Sequence, residues 1–166
     1  WVDSMFNVLT PDERLGQLFM IRAHSDRGAD HIAGVESLIR EYHVGALCFF
    51  QGTPTKQVEL TNRYQALTRH IPLMVAIDGE WGLGMRLKEN TISYPRQLPL
   101  GAIQDNWLIY EFGKEVARQC RRIGIHVNFA PVADVNNNAA NPVINTRSFG
   151  EDRHNVAAKA FQYMSG

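Results

Sequence analysis

The sequence predicts an α/β fold built on a parallel sheet, with about four βα units in 166 residues. Three observations point there. Short apolar runs alternate with stretches that carry apolar residues at helical spacing, which implies strands joined by helical crossovers. The clearest run, Val44 to Phe50, is almost wholly apolar, as strands buried on both faces are. The third and fourth strands each open into a long loop bearing charged residues, where α/β enzymes place binding chemistry.

Taken in order, Trp1 to Leu9 reads as a short lead-in helix. Thr10-Pro11-Asp12-Glu13 starts the next one, with Thr10 as N-cap, Pro11 at the first position and Glu13 placed for a capping box. A strand is expected over Gln17 to Arg22. Ile32, Val35, Leu38, Ile39 and Tyr42 then recur at helical spacing. After the Val44 to Phe50 strand, Thr53-Pro54 caps a helix that lines up Leu60, Tyr64 and Leu67. Leu73 to Asp78 is the third strand and ends in a carboxylate. A loop with glycines and prolines spans Gly79 to Gly101. Asp105 caps a helix whose inner face reads Leu108, Phe112, Val116, Cys120 and Ile123, and which closes at Gly124. The fourth strand is His126 to Ala130, its loop ends near Gly150, and Val156, Ala157, Ala160, Phe161 and Met164 mark a final helix. Spacing alone fits two architectures: half of a (β/α)8 barrel, which typically needs ~250 residues, or a small doubly wound, flavodoxin-like sheet. The Gly-x-Gly-x-x-Gly phosphate signature of dinucleotide-binding sheets is absent after the first strand.

Composition narrows the function classes. Hydrophobic residues make up 45% and charged residues 20%, the balance of a globular chain. Lys plus Arg equals Asp plus Glu at 17 each, so no net field draws nucleic acid or an anionic membrane. No run approaches the ~18 apolar residues of a membrane span. Cys48 and Cys120 read as small buried hydrophobes. The six histidines form no metal-ligand spacing, so neither metal nor cofactor is expected. No Gly-x-Ser-x-Gly elbow supports a serine nucleophile. The chain opens at Trp1 without a methionine or signal-like region, the expectation for a processed or trimmed chain.

Asp78 ends a strand, and in a barrel that end is the active face. On the residues alone it is equally a ligand for sugar-type hydroxyls or a loop-capping carboxylate. Glu80 and Arg86 read first as ion-pair members of the same loop. Asp78 and Glu80 could also be weighed as an acid/base pair, which glycoside cleavage sets ~5 to 9.5 Å apart. Trp81 offers a ring for stacking on a sugar, or a core or lid side chain. Arg147 presents a planar fork of donors suited to sugar oxygens, or stitches its own loop. Asp134 reads mainly as an organiser of Asn-rich turns, and Asn136 to Asn138 as turn formers. His126 reads as packed at a strand start.

The stretches Phe129-Ala-Pro-Val-Ala-Asp-Val135 and Asn141-Pro-Val-Ile-Asn-Thr-Arg-Ser-Phe-Gly150 closely resemble the loop after the fourth strand of the glycoside hydrolase family 3 N-terminal barrel. Asp78-Gly-Glu-Trp-Gly-Leu-Gly-Met-Arg86 resembles the family's Asp-x-Glu-Gly-Gly-x-Val-x-Arg, and Leu9 to Phe19 its opening motif. Trp81 stands where the family usually has Gly, and Gly84 where it has Val, departures that bear on loop shape and sugar preference. The resemblance, to the β-N-acetylhexosaminidase-like branch, implies the N-terminal half of a TIM-type (β/α)8 barrel, with residues 1–166 as one truncated domain. It implies retaining hydrolysis of terminal β-linked N-acetylglucosamine by the parent enzyme, with β-glucosidase as the near alternative. Asp78 and Arg147 become the substrate-binding candidates. Glu80, Trp81, Arg86 and Asp134 follow behind them. The pair role for Asp78 and Glu80 is set aside, because the family's acid/base histidine motif and nucleophilic aspartate are expected beyond Gly166. The isolated chain is accordingly expected to be inactive. Its expected partners are a carbohydrate, the missing half of the barrel, and copies of itself through open sheet edges. A reading from a different class is a noncatalytic carbohydrate-binding or assembly module. The family's frequent secretion leans the compartment towards the periplasm or exterior of a bacterium.

Overall fold

The computed structural model describes residues Trp1 to Gly166. Strands β1 (Met20–Ala23), β2 (Ala46–Phe49), β3 (Met74–Ile77) and β4 (Val127–Asn128) form one sheet in that order, every neighbouring pair parallel. Helices α1 (Val2–Val8) and α2 (Pro11–Gly16) precede the sheet. Helix α3 (Ala29–Tyr42) joins β1 to β2, and α4 (Pro54–Gln65) joins β2 to β3. The short α5 (Gln97–Gly101) and the long α6 (Trp107–Arg122) lie between β3 and β4, and α7 (Arg153–Ser165) follows β4. A doubly wound sheet reverses its strand order at a switch point. The order here runs straight through, as in the first four units of a (β/α)8 barrel.

Local chemistry sets the helix starts as the sequence predicts. The Thr10 hydroxyl accepts from Glu13 N–H at 3.2 Å while Glu13 Oε2 accepts from Thr10 N–H at 2.8 Å, a complete capping box. Thr53 accepts from Lys56 N–H at 3.3 Å with Pro54 in the first turn. Asp105 serves the first turn of α6 by accepting from Trp107 N–H at 3.0 Å, although Asn106 occupies the cap position. Gly124 closes α6 at φ +75.

The core lies between the sheet and α3, α4 and α6. All four residues of β2 are buried, and Leu47, Phe49, Val75 and Ile77 pack with Val35, Ile39, Leu60, Tyr64, Val116 and Cys120. Both cysteines are buried and free.

Four expectations shift. The first strand begins at Met20, not Gln17: Gln17 caps α2 and donates from Nε2 to His43 O at 2.7 Å, so the chain is still leaving the helix there. The buried face of α6 is Ile109, Gly113, Val116 and Cys120, with Leu108 exposed. Gly113 replaces a large side chain because the Tyr163 backbone of α7 crosses it, leaving an added Cβ only 2.1 Å from Tyr163 O. In α7 the buried residues are Val156, Lys159, Ala160 and Tyr163, whereas Ala157, Phe161 and Met164 face outward. Lys159 is buried because its ammonium donates to Ile103 O and to Asn106 Oδ1, tying α7 to the turn before α6. Leu38 and Tyr42 of α3, expected inside, are also exposed.

One group of exposed apolar side chains lies near the β1 edge. Leu15, Leu18, Phe19 and Met20 lie open there, and Leu15, Phe19, Ile21, Leu38 and Tyr42 line a cavity of about 560 Å³.

Candidate functional site

The C-terminal ends of the strands converge on one face. At the end of β3, the Asp78 carboxylate pairs with Arg86 Nη2, and Arg86 Nε donates to Asp78 O at 2.8 Å. Both bonds come from one guanidinium, so the carboxylate and its own backbone are fixed together. Arg86 lies with Cζ 4.7 Å from the Phe50 ring centroid, and that ring also stacks on His24 at 5.8 Å. His24, at the end of β1, is 5% exposed, and its Nε2 is buried without a partner. His31 Nε2 accepts from His24 N–H at 3.0 Å. Burial, reinforced by the nearby Arg27, holds both imidazoles below their ordinary pKa.

Two residues on, Glu80 is 3% exposed and receives a fork from Arg147. Arg147 Nε donates to Oε1 at 3.1 Å and Oε2 at 2.9 Å, and Nη2 donates to Oε1 at 2.5 Å. Arg147 Nη1 also donates to Val143 O at 3.1 Å. The hydrogen-bonded Glu80 carboxylate pushes the Arg147 guanidinium above its ordinary pKa. The loop after β4 is thus clamped to the loop after β3 by a charge pair 67 residues apart in sequence. Beneath the clamp, Asn128 at the end of β4 grips Gly79: Oδ1 accepts from Gly79 N–H at 2.9 Å, and Nδ2 donates to Gly79 O at 3.2 Å. Nδ2 also donates to Tyr163 OH at 3.2 Å, whose proton is held up by burial.

The loop between the pairs explains one departure from the family pattern. A Cβ at Gly84 lies 2.7 Å from Ile92 O and 2.8 Å from Ser93 Cα, so the returning chain leaves no room for valine. Gly82 takes φ +86 with Tyr94 against it, a conformation that suits only glycine. Trp81 is half-buried, and Arg96 Cζ sits 5.1 Å from its ring centroid. Arg96 Nη1 donates to Thr146 Oγ1 at 2.9 Å. Arg96, Arg147 and the segment Pro142 to Thr146 enclose a cavity of about 240 Å³.

The structure therefore brings Asp78, Glu80, Arg86 and Arg147 into two adjacent ion pairs, with Trp81 beside them. Asp134 stands apart from its expected part in the turns. Its side chain is exposed, and its backbone carbonyl, not its carboxylate, accepts from Ser148 Oγ at 2.5 Å. The turns are made instead by Asn138, whose Oδ1 accepts from Ala140 N–H, and by Asn141, which accepts from Val143 and Ile144 N–H. His126 lies at the start of β4, its Nδ1 accepting from Val75 N–H at 2.9 Å, a structural contact. Sequence reasoning missed Arg96, Asn128 and the His24–Phe50 stack. Asn128 and His24 had one signal, a polar residue at the C-terminal end of a strand; Arg96 had none.

Comparison with known proteins agrees with this geometry. The profile of the glycosyl hydrolase family 3 N terminal domain matches residues 10–166. The beta-hexosaminidase LpqI of Mycobacterium tuberculosis is 30% identical, the match covering 96% of this chain and 40% of that protein. A beta-N-acetylglucosaminidase/beta-glucosidase of Cellulomonas fimi is 28% identical over 99% of this chain and 28% of its own length. The chain thus spans well under half of these relatives. Among solved structures, a family 3 beta-N-acetylglucosaminidase from a Paenibacillus strain superposes with a TM-score of 0.82 at 32% identity, covering 94% of this chain and 30% of that one. The beta-glucoside phosphorylase BglX superposes with a TM-score of 0.89 at 25% identity, covering 100% of this chain and 29% of its own. With its four parallel βα units and a family match running from the Thr10 cap to the last residue, this chain belongs to the N-terminal domain of glycosyl hydrolase family 3.

Proposed function

We propose that this chain supplies the sugar-holding half of the catalytic barrel in a retaining glycosidase that removes terminal β-linked N-acetylglucosamine. The observation that carries the reading is the pair of ion pairs at the end of β3, Asp78–Arg86 and Glu80–Arg147. Asp78 has carboxylate oxygen capacity beyond its Arg86 bond and accepts from sugar hydroxyls. Arg147, with its direction set by Glu80, donates to a sugar or acetamido oxygen. Glu80 and Arg86 are positioning residues, and Asp134 adds negative charge that Arg147 feels. The covalent steps, attack by a carboxylate and protonation of the leaving group by a histidine, fall to residues outside these 166. Residues 1–166 alone therefore turn over no glycoside.

The test is hydrolysis of p-nitrophenyl β-N-acetylglucosaminide by this chain and by the protein extended through the rest of the barrel. Release of nitrophenol only by the longer protein supports the reading; turnover by the 166 residues alone overturns the division of labour.

β-Glucosidase is the second reading, favoured by the dual name of the Cellulomonas relative and, for the sugar alone, by the likeness to the β-glucoside phosphorylase BglX. A higher kcat/KM on the β-glucoside than on the N-acetylglucosaminide selects it. A noncatalytic assembly module is the third. It draws on the apolar β1 edge, where an unpaired parallel strand beside Leu15, Leu18 and Phe19 suits self-association. A monodisperse monomer in light scattering counts against it.

A further inference from the structure

We infer that Arg96, clasped between Trp81 and Thr146, is a positioning residue for Arg147 and hence for sugar binding, an inference that rests on the glycosidase reading. Arg147 is held by its side chain through Glu80, but a guanidinium is aimed only as well as its backbone is placed. That backbone belongs to a single 3-10 turn, Asn145–Arg147, within a loop that otherwise runs from Pro131 to Gly150 without a helix or strand. The turn is weakly self-supported: Arg147 N–H donates to Ile144 O at 2.8 Å and Ser148 N–H to Asn145 O at 3.2 Å.

Arg96 reaches it from the other loop. Its Nη1 donates to the hydroxyl of Thr146, the residue next to Arg147, at 2.9 Å. Its Cζ rests 5.1 Å from the centroid of Trp81, the residue next to Glu80. The two loops are thus fastened at consecutive residue pairs, 80 to 147 by an ion pair and 81 to 146 through Arg96. Two adjacent fastenings fix a rotation that one leaves free, so the clasp determines the angle at which the Arg147 fork meets a ligand. The tryptophan that departs from the family's usual glycine at position 81 provides the ring for this contact. Residue 96 follows Pro95, whose fixed φ and missing N–H stiffen the approach.

The experiment compares wild type, Arg96→Gln, Trp81→Gly and Trp81→Phe in the complete enzyme by steady-state kinetics and by hydrogen exchange. Loss of one exposed cation–π contact and one hydrogen bond corresponds to about a three- to tenfold rise in KM for the preferred glycoside, with kcat nearly unchanged. A binding arginine that is mis-aimed loses ground and transition states alike. Trp81→Phe keeps an aromatic face and restores most of KM, which a general loss of folding does not. Exchange at the Arg147 and Ser148 amides quickens in Arg96→Gln and Trp81→Gly while β2 and β3 stay protected. Unchanged exchange at those amides, or a fall in kcat at constant KM, overturns the inference. If wild type turns over neither glycoside, the glycosidase reading falls instead, and positioning for sugar falls with it.

Discussion

Glu80→Gln tests how Arg147 is aimed. The substitution keeps the shape of the side chain but replaces a carboxylate, which accepts from Arg147 at 3.1, 2.9 and 2.5 Å, with an amide that offers one acceptor and turns an NH2 towards a cation. Hydrogen bonds to charged groups contribute about 1.5–3 kcal/mol each, and breaking a fully buried pair costs about 3–5 kcal/mol. The Glu80 side chain is 4% exposed but that of Arg147 is 34% exposed, so water recovers part of the loss on the arginine side. About 2 kcal/mol is the resulting expectation, and if all of it is spent on aiming Arg147, KM rises by up to about thirtyfold. Urea unfolding of this chain, and steady-state kinetics in the complete enzyme, on Glu80→Gln, Arg147→Met and the double variant close a thermodynamic cycle. The reasoning requires a coupling of at least about 1 kcal/mol between the two positions, beyond the scatter of about 0.5 kcal/mol for independent sites. A coupling inside that scatter, or a Glu80→Gln enzyme with unaltered KM, refutes it.

In the complete enzyme, Asp78→Asn removes the negative partner of Arg86 and the proposed ionic acceptor for hydroxyls, and kcat/KM is expected to fall about 100-fold; a loss under threefold removes Asp78 from the site. Native Cys120 should resist thiol reagents at pH 8, because burial pushes its thiol up to about 11, and Cys48 is raised in the same direction. Modification kinetics should match free thiol only after denaturation, and rapid native labelling contradicts the packing. Stability should decline as pH drops through the ordinary histidine value of 6.5, since the unfolded chain binds protons there that buried His24 and half-buried His31 refuse. The decline ends once pH passes below their depressed folded values. Arg22 and Arg27 deepen the effect and Asp26 opposes it. A flat stability curve from pH 7 to 5 in wild type, or an equal slope in His24→Phe/His31→Gln, counts against this account.

The parts of the fold legible in the sequence were those written in short range. Thr10, Pro11 and Glu13 cap as their spacing says, and the unbroken apolar run at Val44 to Phe50 supplies the central strand. Helix faces were read less well. A helix in this sheet has a buried side chosen by whichever neighbour crosses it, so Gly113 and Lys159 lie inside while Leu108, Phe161 and Met164 lie outside. Hydropathy carries no record of a backbone passing 2.1 Å from a missing Cβ. In the site, Asp78 and Arg147 stood out through strand-end position and motif. Glu80 and Arg86 were legible as ion-pair members, and Arg86 does pair eight residues back with Asp78; the longer pairings were not, because the Glu80–Arg147 fork and the Arg96–Thr146 bond span 67 and 50 residues. Only the folded chain states those pairings, and Asp134 shows the converse: a motif residue whose backbone matters and whose carboxylate stays outside.

The two ion pairs at the end of β3 also fix what kind of attraction this face exerts. Each formal charge meets its opposite within the protein, so these four side chains radiate little beyond contact distance. What they present is orientation: acceptor lone pairs and donor hydrogens at set angles, felt only by a molecule already in place. On the proposed sugar-binding reading, such a surface would sort uncharged polyols by the layout of their hydroxyls, and its discrimination should hold as ionic strength rises.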